Sequence, residues 1–396
     1  MTWPTILTLI AAVPAGFCAV WWVVFMCRLG RMISSGMSLR AGLTNQVEPE
    51  LVSIVVPAHN EERVIATCVD ALMAQDWPLL EILVVADRCT DATESIVSER
   101  VAKDDRVKLI SNRECPPTWA GKCHAARLGA EHASGRWVAF IDADTSAAPE
   151  LIGAAVTEAS RRDTAMLSLL TDLTCHTWFE RSTQPVAMMA LLSLFPPDSV
   201  NRDDRRRTFA NGQFMLFARE SYDAIGGHAS VKEALLEDIA FAQTVTRHGG
   251  RVNVLRADGL LSCSMYGTHE DFLRGWMRIF LEATGRSLRS LAKQGARQLW
   301  LGVVLPLLAV VSAVLGAIVG GLVGWVALGV GIGAIVLQAI ALVAVYRIGR
   351  QPVWAAVLFP IGAVEVWRVM RQASKLLRRG EPVRWGGREY VLEPRD

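Results

Sequence analysis

The sequence predicts an α/β domain built on a mostly parallel sheet, flanked by apolar helices long enough to cross a bilayer. Three observations lead there. Between residues 51 and 141, short β-branched runs alternate with amphipathic stretches. Long apolar runs occupy both ends of the chain. The composition joins 52% hydrophobic residues to 20% charged ones, at a mean hydropathy of +0.29. That hydropathy is too high for an ordinary soluble protein, whereas the charged share is close to the usual one of about a quarter. One chain holds both values when it is divided into a water-soluble and a lipid-soluble part. Abundant apolar residues and a net charge of only +2 exclude intrinsic disorder. The balance of 41 basic against 39 acidic residues speaks against nucleic acid as a partner. The eight cysteines are scattered with no Cys-x-x-Cys pair, so neither a disulfide scaffold nor a zinc site is indicated.

Taken in order, Trp3 to Met26 is an unbroken apolar run of about 24 residues, enough to span. It lacks the basic start of a signal peptide and is followed by Arg28, Arg31 and Arg40, which predicts an uncleaved anchor over 1–30 with its C-terminal side in the cytoplasm. Residues 31–50 form a linker. The α/β domain is expected over 51–293. Strands are predicted at Val52–Pro57, Glu81–Ala86, Val107–Ser111 and Trp137–Ile141, with helices after the first, over Asp91–Ala102 and over Gly121–Ala133. Strands and helices in this alternation imply βαβ units and a parallel sheet. Leu299 to Tyr346 is apolar over about 48 residues, enough for two spans, with Gly320, Gly321 and Gly324 marking a hairpin. Lys293 and Arg297 before this stretch, and Arg347 and Arg350 after it, place both ends in the cytoplasm. The final segment, 347–396, holds a third apolar stretch, Pro352 to Met370, interrupted by Pro360 and Glu365 and followed by five basic residues. A full crossing would carry that basic tail outside; a re-entrant or interfacial helix keeps it inside, and the basic tail favours the latter.

In open parallel sheets, ligands bind beyond the carboxyl ends of the strands. Polar residues gather there: Pro57–Glu61, Asp87–Asp91 and Asp142–Asp144. Two carboxylates at i and i+2 in a turn can share one divalent cation, and hard oxygen ligands suit Mg²⁺ or Mn²⁺. Alone, Asp-x-Asp is a common and weak signal. Lys122 opens a helix after Gly121, where an ammonium can reach a phosphate. Glu237-Asp238 reads either as an acidic pair at a helix start, stabilised by the dipole, or as a catalytic carboxylate pair.

These residues together resemble the family 2 inverting glycosyltransferases over about residues 51 to 280. The likeness rests on Val55–Glu61, Val84–Asp91, Gly121-Lys122, Asp142–Asp144 and Glu237-Asp238, in matching order and spacing. Within that family, Pro117–Ala125, Ala210–Phe214, Gly226–His228, Met265-Tyr266, Gly275-Trp276 and the tail Val383–Tyr390 are similar to the hopene-associated and carotenoid-type lipid glycosyltransferases. The resemblance implies a GT-A fold and transfer from a nucleotide sugar, most often UDP-linked. It implies that Pro57, Asn60, Glu61 and Asp87 surround the nucleoside, that Asp142 and Asp144 hold the metal with Lys122 near the phosphates, and that Asp238 is the base with Glu237 in support. The sequence departs from the family at Ala86, at Ser264 before Met-Tyr, and at Met277–Ile279, where a Lys-Asn pair is expected.

The expected protein is therefore an inner-membrane, multi-pass enzyme with a cytoplasmic catalytic domain, moving one sugar to a lipid acceptor of hopanoid or carotenoid type. Its rivals are a processive polysaccharide synthase, disfavoured by Leu-Arg-Gly-Trp in place of Gln-x-x-Arg-Trp, and a non-catalytic membrane scaffold retaining the fold. His228 and Arg278 are expected to help neutralise the diphosphate. Phe272, Trp276, Phe280 and Ala283 recur at helical spacing among arginines, as in a helix lying in the headgroup region. The apolar segment Pro185–Pro197 reads either as a buried core helix or as an interfacial one.

Overall fold

A computed structural model describes residues 3–196, 200–201, 208–385 and 388–395. The chain opens with helix α1 (Trp3–Ser34), then enters the sheet through β1 (Val52–Ala58), α2 (Ile65–Met73), β2 (Leu80–Asp87), α3 (Thr93–Val101), β3 (Val107–Asn112), α4 (Gly121–His132) and β4 (Trp137–Ile141). The four expected strands lie within a residue of their predicted bounds. Helix α3 starts two residues late because Asp91 turns its carboxylate onto the Thr93 N–H at 3.0 Å and so stays outside the helix.

After β5 (Thr145–Ala147) and α5 (Leu151–Arg161) come β6 (Met166–Leu170), β7 (Asp172–Leu173), α6 (Trp178–Leu194), β8 (Phe214–Ala218), α7 (Arg219–Ala224), α8 (Glu237–Arg247), β9 (Val252–Arg256) and β10 (Leu261–Cys263). The main sheet has the order β3-β2-β1-β4-β8-β6-β9, with β8 antiparallel to both its neighbours and every other pairing parallel. Strands β1, β2 and β4 are buried almost throughout, as strands covered on both faces are. Ile54, Val56, Ile82 and Val84 face α2, α3 and α5, while Val55, Leu83 and Val85 face α4 and α8. The period-2 alternation thus divides two cores across one sheet, and the carboxyl ends of β1, β2 and β4 come to one edge.

The rest of the chain is helical: α9 (His269–Ala283), α10 (Leu288–Leu299), a single π turn at Trp300–Val304, α11 (Leu305–Val319), α12 (Gly321–Ile348) and α13 (Phe359–Arg379), closed by the hairpin β11 (Val383–Trp385) and β12 (Arg388–Tyr390). Residues 386 and 387 of the tail motif, and Pro197, lie outside the described residues. Four helical stretches are long and apolar enough to cross a membrane: Trp3–Ser34, Leu288–Val319, Gly321–Ile348 and Val353–Arg379. The hairpin falls at Gly320 and Gly321, both at φ 62°, a left-handed conformation that favours glycine. Helices α1, α11 and α12 pack together through small residues. Gly316 lies so near the backbone of α12 that an added Cβ would stand 2.5 Å from the Gly324 carbonyl oxygen. Their outer faces expose Val13, Phe17, Leu322, Trp325 and Val336.

Two details differ from expectation, and a third decides between alternatives. Pro360 does not interrupt α13 but sits in its first turn, where no N–H is needed. Phe272, Trp276 and Phe280 are fully buried, with the Trp276 indole donating to Gln184 Oε1 at 3.1 Å, so the apolar face of α9 meets α6 and α13 rather than headgroups. Of the two readings of Pro185–Pro197, burial of Val186, Ala187, Ala190 and Leu191 supports the core helix for one face of α6.

Candidate active site

A cavity of 390 Å³ opens at the carboxyl edge of the sheet and brings together eight of the nine predicted site residues: Pro57, Glu61, Asp87, Lys122, Asp142, Asp144, Glu237 and Asp238. Asn60 does not line it. At φ 58°, Asn60 turns its Oδ1 to accept from the Thr90 N–H at 2.8 Å, tying the loop after β1 to the loop after β2.

At the β2 end, the Asp87 carboxylate is buried and held on both oxygens. Asn112 Nδ2 donates to Oδ1 at 2.6 Å, and Arg88 donates to Oδ2 through Nε at 3.0 Å and Nη2 at 2.6 Å. Arg88 reaches back only because its backbone adopts φ 51°. Its guanidinium also lies against Gly121, where a Cβ would stand 2.6 Å from Nη2. Asp87 was legible in the sequence, but the Arg88–Asn112 clamp on it was not, because nothing in the local sequence marks a left-handed arginine.

The second half of the site is a chain of charges. Lys122, at the start of α4, places Nζ 2.7 Å from Asp142 Oδ1 and 2.6 Å from Glu237 Oε1. It thereby joins the loop after β4 to the first turn of α8. Asp238 accepts from the Gly212 N–H and from its neighbour Ile239 N–H, both at 2.7 Å. A Cβ at Gly212 would stand 3.2 Å from Asp238 Oδ2, 3.3 Å from Glu237 Oε1 and 3.3 Å from Lys122 Nζ, so the loop before β8 closes tightly on all three.

Burial raises the Asp238 carboxyl, and the Glu237 charge raises it further, to about 7, against the pull of Lys122. Burial also works to raise Glu237, but the Lys122 ammonium prevails and holds that carboxyl below its ordinary value. Asp144 is pushed up to about 7 by burial and by Asp142, and Glu61 to about 7 by burial and by Asp144 and Asp142. Lys122 is itself held well above the lysine range: Asp142 and Glu237 together outweigh its own desolvation.

Asp144 Oδ1 is buried with no hydrogen-bond partner among the described residues. Those residues contain no cluster of three His, Cys, Asp or Glu able to enclose a metal by themselves. An orphaned carboxylate oxygen beside Asp142 fits a hard divalent cation whose remaining ligands come from a phosphate-bearing substrate and water.

Arg278, on α9, lines the cavity and feels the charges of Glu237, Asp238 and Asp142, with burial lowering its affinity for a proton. His228 does not join it. Its ring is buried 4.5 Å from Phe140 and 4.7 Å from Phe241, its Nδ1 is 2.7 Å from the Tyr222 hydroxyl, and burial pushes it down to about 3. His228 is thus a neutral core residue, and the expectation that it offsets diphosphate charge is corrected. Tyr266 and Gln213 complete the wall. The buried Tyr266 hydroxyl has no hydrogen-bond partner among the described residues. Gln213 donates to Cys263 Sγ and accepts from Thr171.

The chain is similar to several known proteins. The 4,4′-diaponeurosporenoate glycosyltransferase of Staphylococcus aureus strain MRSA252 is 23% identical over 348 residues, covering 86% of this chain and 88% of the relative. That of strain bovine RF122 / ET3-1 is 23% identical over 352 residues, with the same coverage. Among solved structures, the mannosyltransferase PcManGT from Pyrobaculum calidifontis in complex with GDP-Man and Mn²⁺ aligns at TM-score 0.47 and 17% identity over 91% of this chain and 98% of that one. S. aureus TarS 1-349 in complex with UDP-GlcNAc aligns at TM-score 0.42 and 16% identity over 86% and 96%. Residues 53–226 match the profile of Glycosyl transferase family 2. The matched segment runs from β1 through α7 and so takes in the cleft up to Gly212, leaving Glu237 and Asp238 beyond it. Along that segment the chain carries a family 2 glycosyltransferase domain of GT-A fold, and the protein is a glycosyltransferase.

Proposed function

We propose that the enzyme transfers a single sugar, with inversion, from a nucleotide sugar to an isoprenoid lipid at the membrane surface. The observation that carries this reading is the linked cluster Asp142–Lys122–Glu237 beside Asp238, in a cleft whose far wall is apolar: Leu191, Phe209, Ile239, Met265 and Ile279. Pro57, Glu61 and Asp87 border the end assigned to the nucleoside, which in this family is most often uridine. Asp142 and Asp144 hold Mg²⁺ or Mn²⁺ in this reading. When bound, the cation neutralises charge on the departing nucleotide diphosphate.

The chain's own residues supply the rest. Lys122 and Arg278 place two further cations on the diphosphate side of the cleft. Asp238, poised near neutrality, accepts the proton of an acceptor hydroxyl as its oxygen bonds to the anomeric carbon and the bond to the diphosphate breaks. Glu237 keeps Asp238 basic by its charge and keeps Lys122 in place by its ion pair. The curated relatives are named for a carboxylate-bearing substrate. A carboxylate acceptor arrives already ionised and needs no base, so dependence on Asp238 separates a hydroxyl acceptor from a carboxyl one.

The domain assignment belongs to this proposal: an anchor over 1–30, a linker over 31–50, the catalytic domain over 51–293, a membrane hairpin over 299–346, and α13 lying against the catalytic domain on the cytoplasmic side. Mass spectrometry of lipids formed by membranes containing the protein, given a panel of nucleotide sugars, tests the reading. A product one hexose heavier than an isoprenoid lipid is expected. A polymer ladder, or a sugar on a water-soluble acceptor alone, would overturn it.

A further inference from the structure

A second cavity, of 280 Å³, lies along α6 and shares no lining residue with the catalytic cleft. Leu191 lines the catalytic cleft, whereas Met188 and Leu192 line this one. Its other apolar walls are Trp21 and Phe25 of α1 and Val345 of α12, so it sits where two membrane helices meet the catalytic domain. It lies level with the end of the apolar run of α1, beside Arg28 and Met32, and with the C-terminal turn of α12. In the membrane placement proposed above, that level is the cytoplasmic headgroup layer.

The charges around it are unbalanced. Of its acids, Asp258 is matched by Arg256 at 3.0 Å and Asp172 by Arg350 at 3.4 Å. Arg297, from α10, has no acidic partner among the described residues: its Nη2 donates to the Ser193 hydroxyl, and its Nε is buried with no hydrogen-bond acceptor. Arg28 forms no ion pair among the described residues. A half-buried guanidinium without a counter-ion is costly, since a removed charge must be paired to be stable out of water. Apolar walls with an unmatched cation at their mouth are the complement of an anionic amphiphile.

We propose that this cavity holds an anionic lipid of the bilayer, one chain between α1, α6 and α12 and its charged headgroup on Arg297 and Arg28. The lipid is a resident ligand, distinct from the acceptor, that seals the seam between the membrane helices and the catalytic domain. The site rests on the membrane placement but not on the glycosyl-transfer reading.

The test uses the full-length protein extracted from membranes, exchanged into vesicles of phosphatidylcholine with an equal share of phosphatidylglycerol, re-extracted and weighed by native mass spectrometry. The expected result is retention of one phosphatidylglycerol in preference to phosphatidylcholine, with the preference falling about tenfold in Arg297→Gln, the loss of one charge-assisted hydrogen bond. Should that variant fail to fold, Met189→Trp fills the cavity without altering its charge and is expected to abolish retention. Equal retention of the two lipids, or wild-type retention in either folded variant, overturns the site. So does stabilisation by inorganic phosphate as great as that by the lipid, since the apolar walls would then play no part. Recovery of the protein in the soluble fraction would overturn this site and the membrane placement together; membrane recovery without selectivity overturns this site alone.

Discussion

Asp238, the base of the proposed mechanism, shows how surroundings raise a carboxylate's proton affinity. Two backbone N–H groups fix its oxygens, while burial and Glu237 lift its proton affinity to about 7. Asp238→Asn is expected to lower turnover on a hydroxyl acceptor by about two to four orders of magnitude, the usual contribution of a general base. Donor binding by calorimetry should be unchanged, and unimpaired turnover would reject the assignment. In the wild type, kcat/KM should fall below about pH 7 as Asp238 protonates. Glu237→Gln removes the charge that raises Asp238 and should move that acid limb to lower pH.

A second residue-scale expectation concerns stability. Glu61, Asp144 and Asp238 all have folded-state values raised above their unfolded ones. The folded protein therefore binds these protons more tightly, and the stability they lend is complete below about pH 4 and lost as pH rises through about 7. With chelator present, the melting temperature of the detergent-solubilised enzyme should fall between pH 5 and pH 8. Added Mn²⁺ should restore it at pH 8, since a cation between Asp142 and Asp144 removes their mutual repulsion. A melting temperature indifferent to both would count against the metal.

At the scale of elements, legibility followed burial pattern. Strands β1, β2 and β4 are covered on both faces, so each is a continuous apolar run bounded by polar turns, and each was readable. Strands β6, β8 and β9 have equally apolar cores. Their neighbours in the sheet are far away in sequence, however, and the antiparallel turn of β8 comes from no local signal. Charged residues lining the cleft stand at element ends that the sequence marks: Glu61, Asp87, Asp142 and Asp144 at or just after strand ends, Lys122, Glu237 and Asp238 at helix starts. The Arg88 clamp, the closure of Gly212 on Asp238 and the neutral core role of His228 were not readable, because each depends on a partner that only the fold supplies.

Helix α9 misled for a related reason: an apolar stripe flanked by arginines looks alike whether it faces lipid or α6. The close crossing of α13 on α6 is testable. A Cβ at Gly362 would run into the Ser182 carbonyl, whereas Gly333 on α12 has nothing within 4 Å. Gly362→Leu should destabilise the protein by about 1–3 kcal/mol or more through overpacking. Gly333→Leu should not, and equal melting temperatures would show that α13 is not seated on α6.

On the scale of the whole molecule, α13 decides how the chain meets the membrane. By length and composition it can cross, but its surroundings argue otherwise. Its buried face meets α6, α9 and α10, two of which wall the catalytic cleft. Its Glu365 lies 3.4 Å from Arg368 and 3.7 Å from His269 of α9. A full crossing would draw these charged groups, and the helices that bear them, into hydrocarbon, at a cost of several kcal/mol for each unsatisfied group. In the proposed placement, α13 lies at the interface and keeps Arg371, Lys375, Arg378 and Arg379 on the side assigned to Arg28 and Arg347. Cysteine labelling in intact cells separates the two, in a background where the exposed Cys27 is replaced. Leu322→Cys, beside the hairpin turn, should react with a membrane-impermeant maleimide from outside. Glu381→Cys, just beyond α13, should react only after the membrane is permeabilised. Labelling of position 381 from outside would make α13 a fourth crossing, after α1 and the two of the hairpin, and would place its basic tail away from the catalytic domain against which it packs.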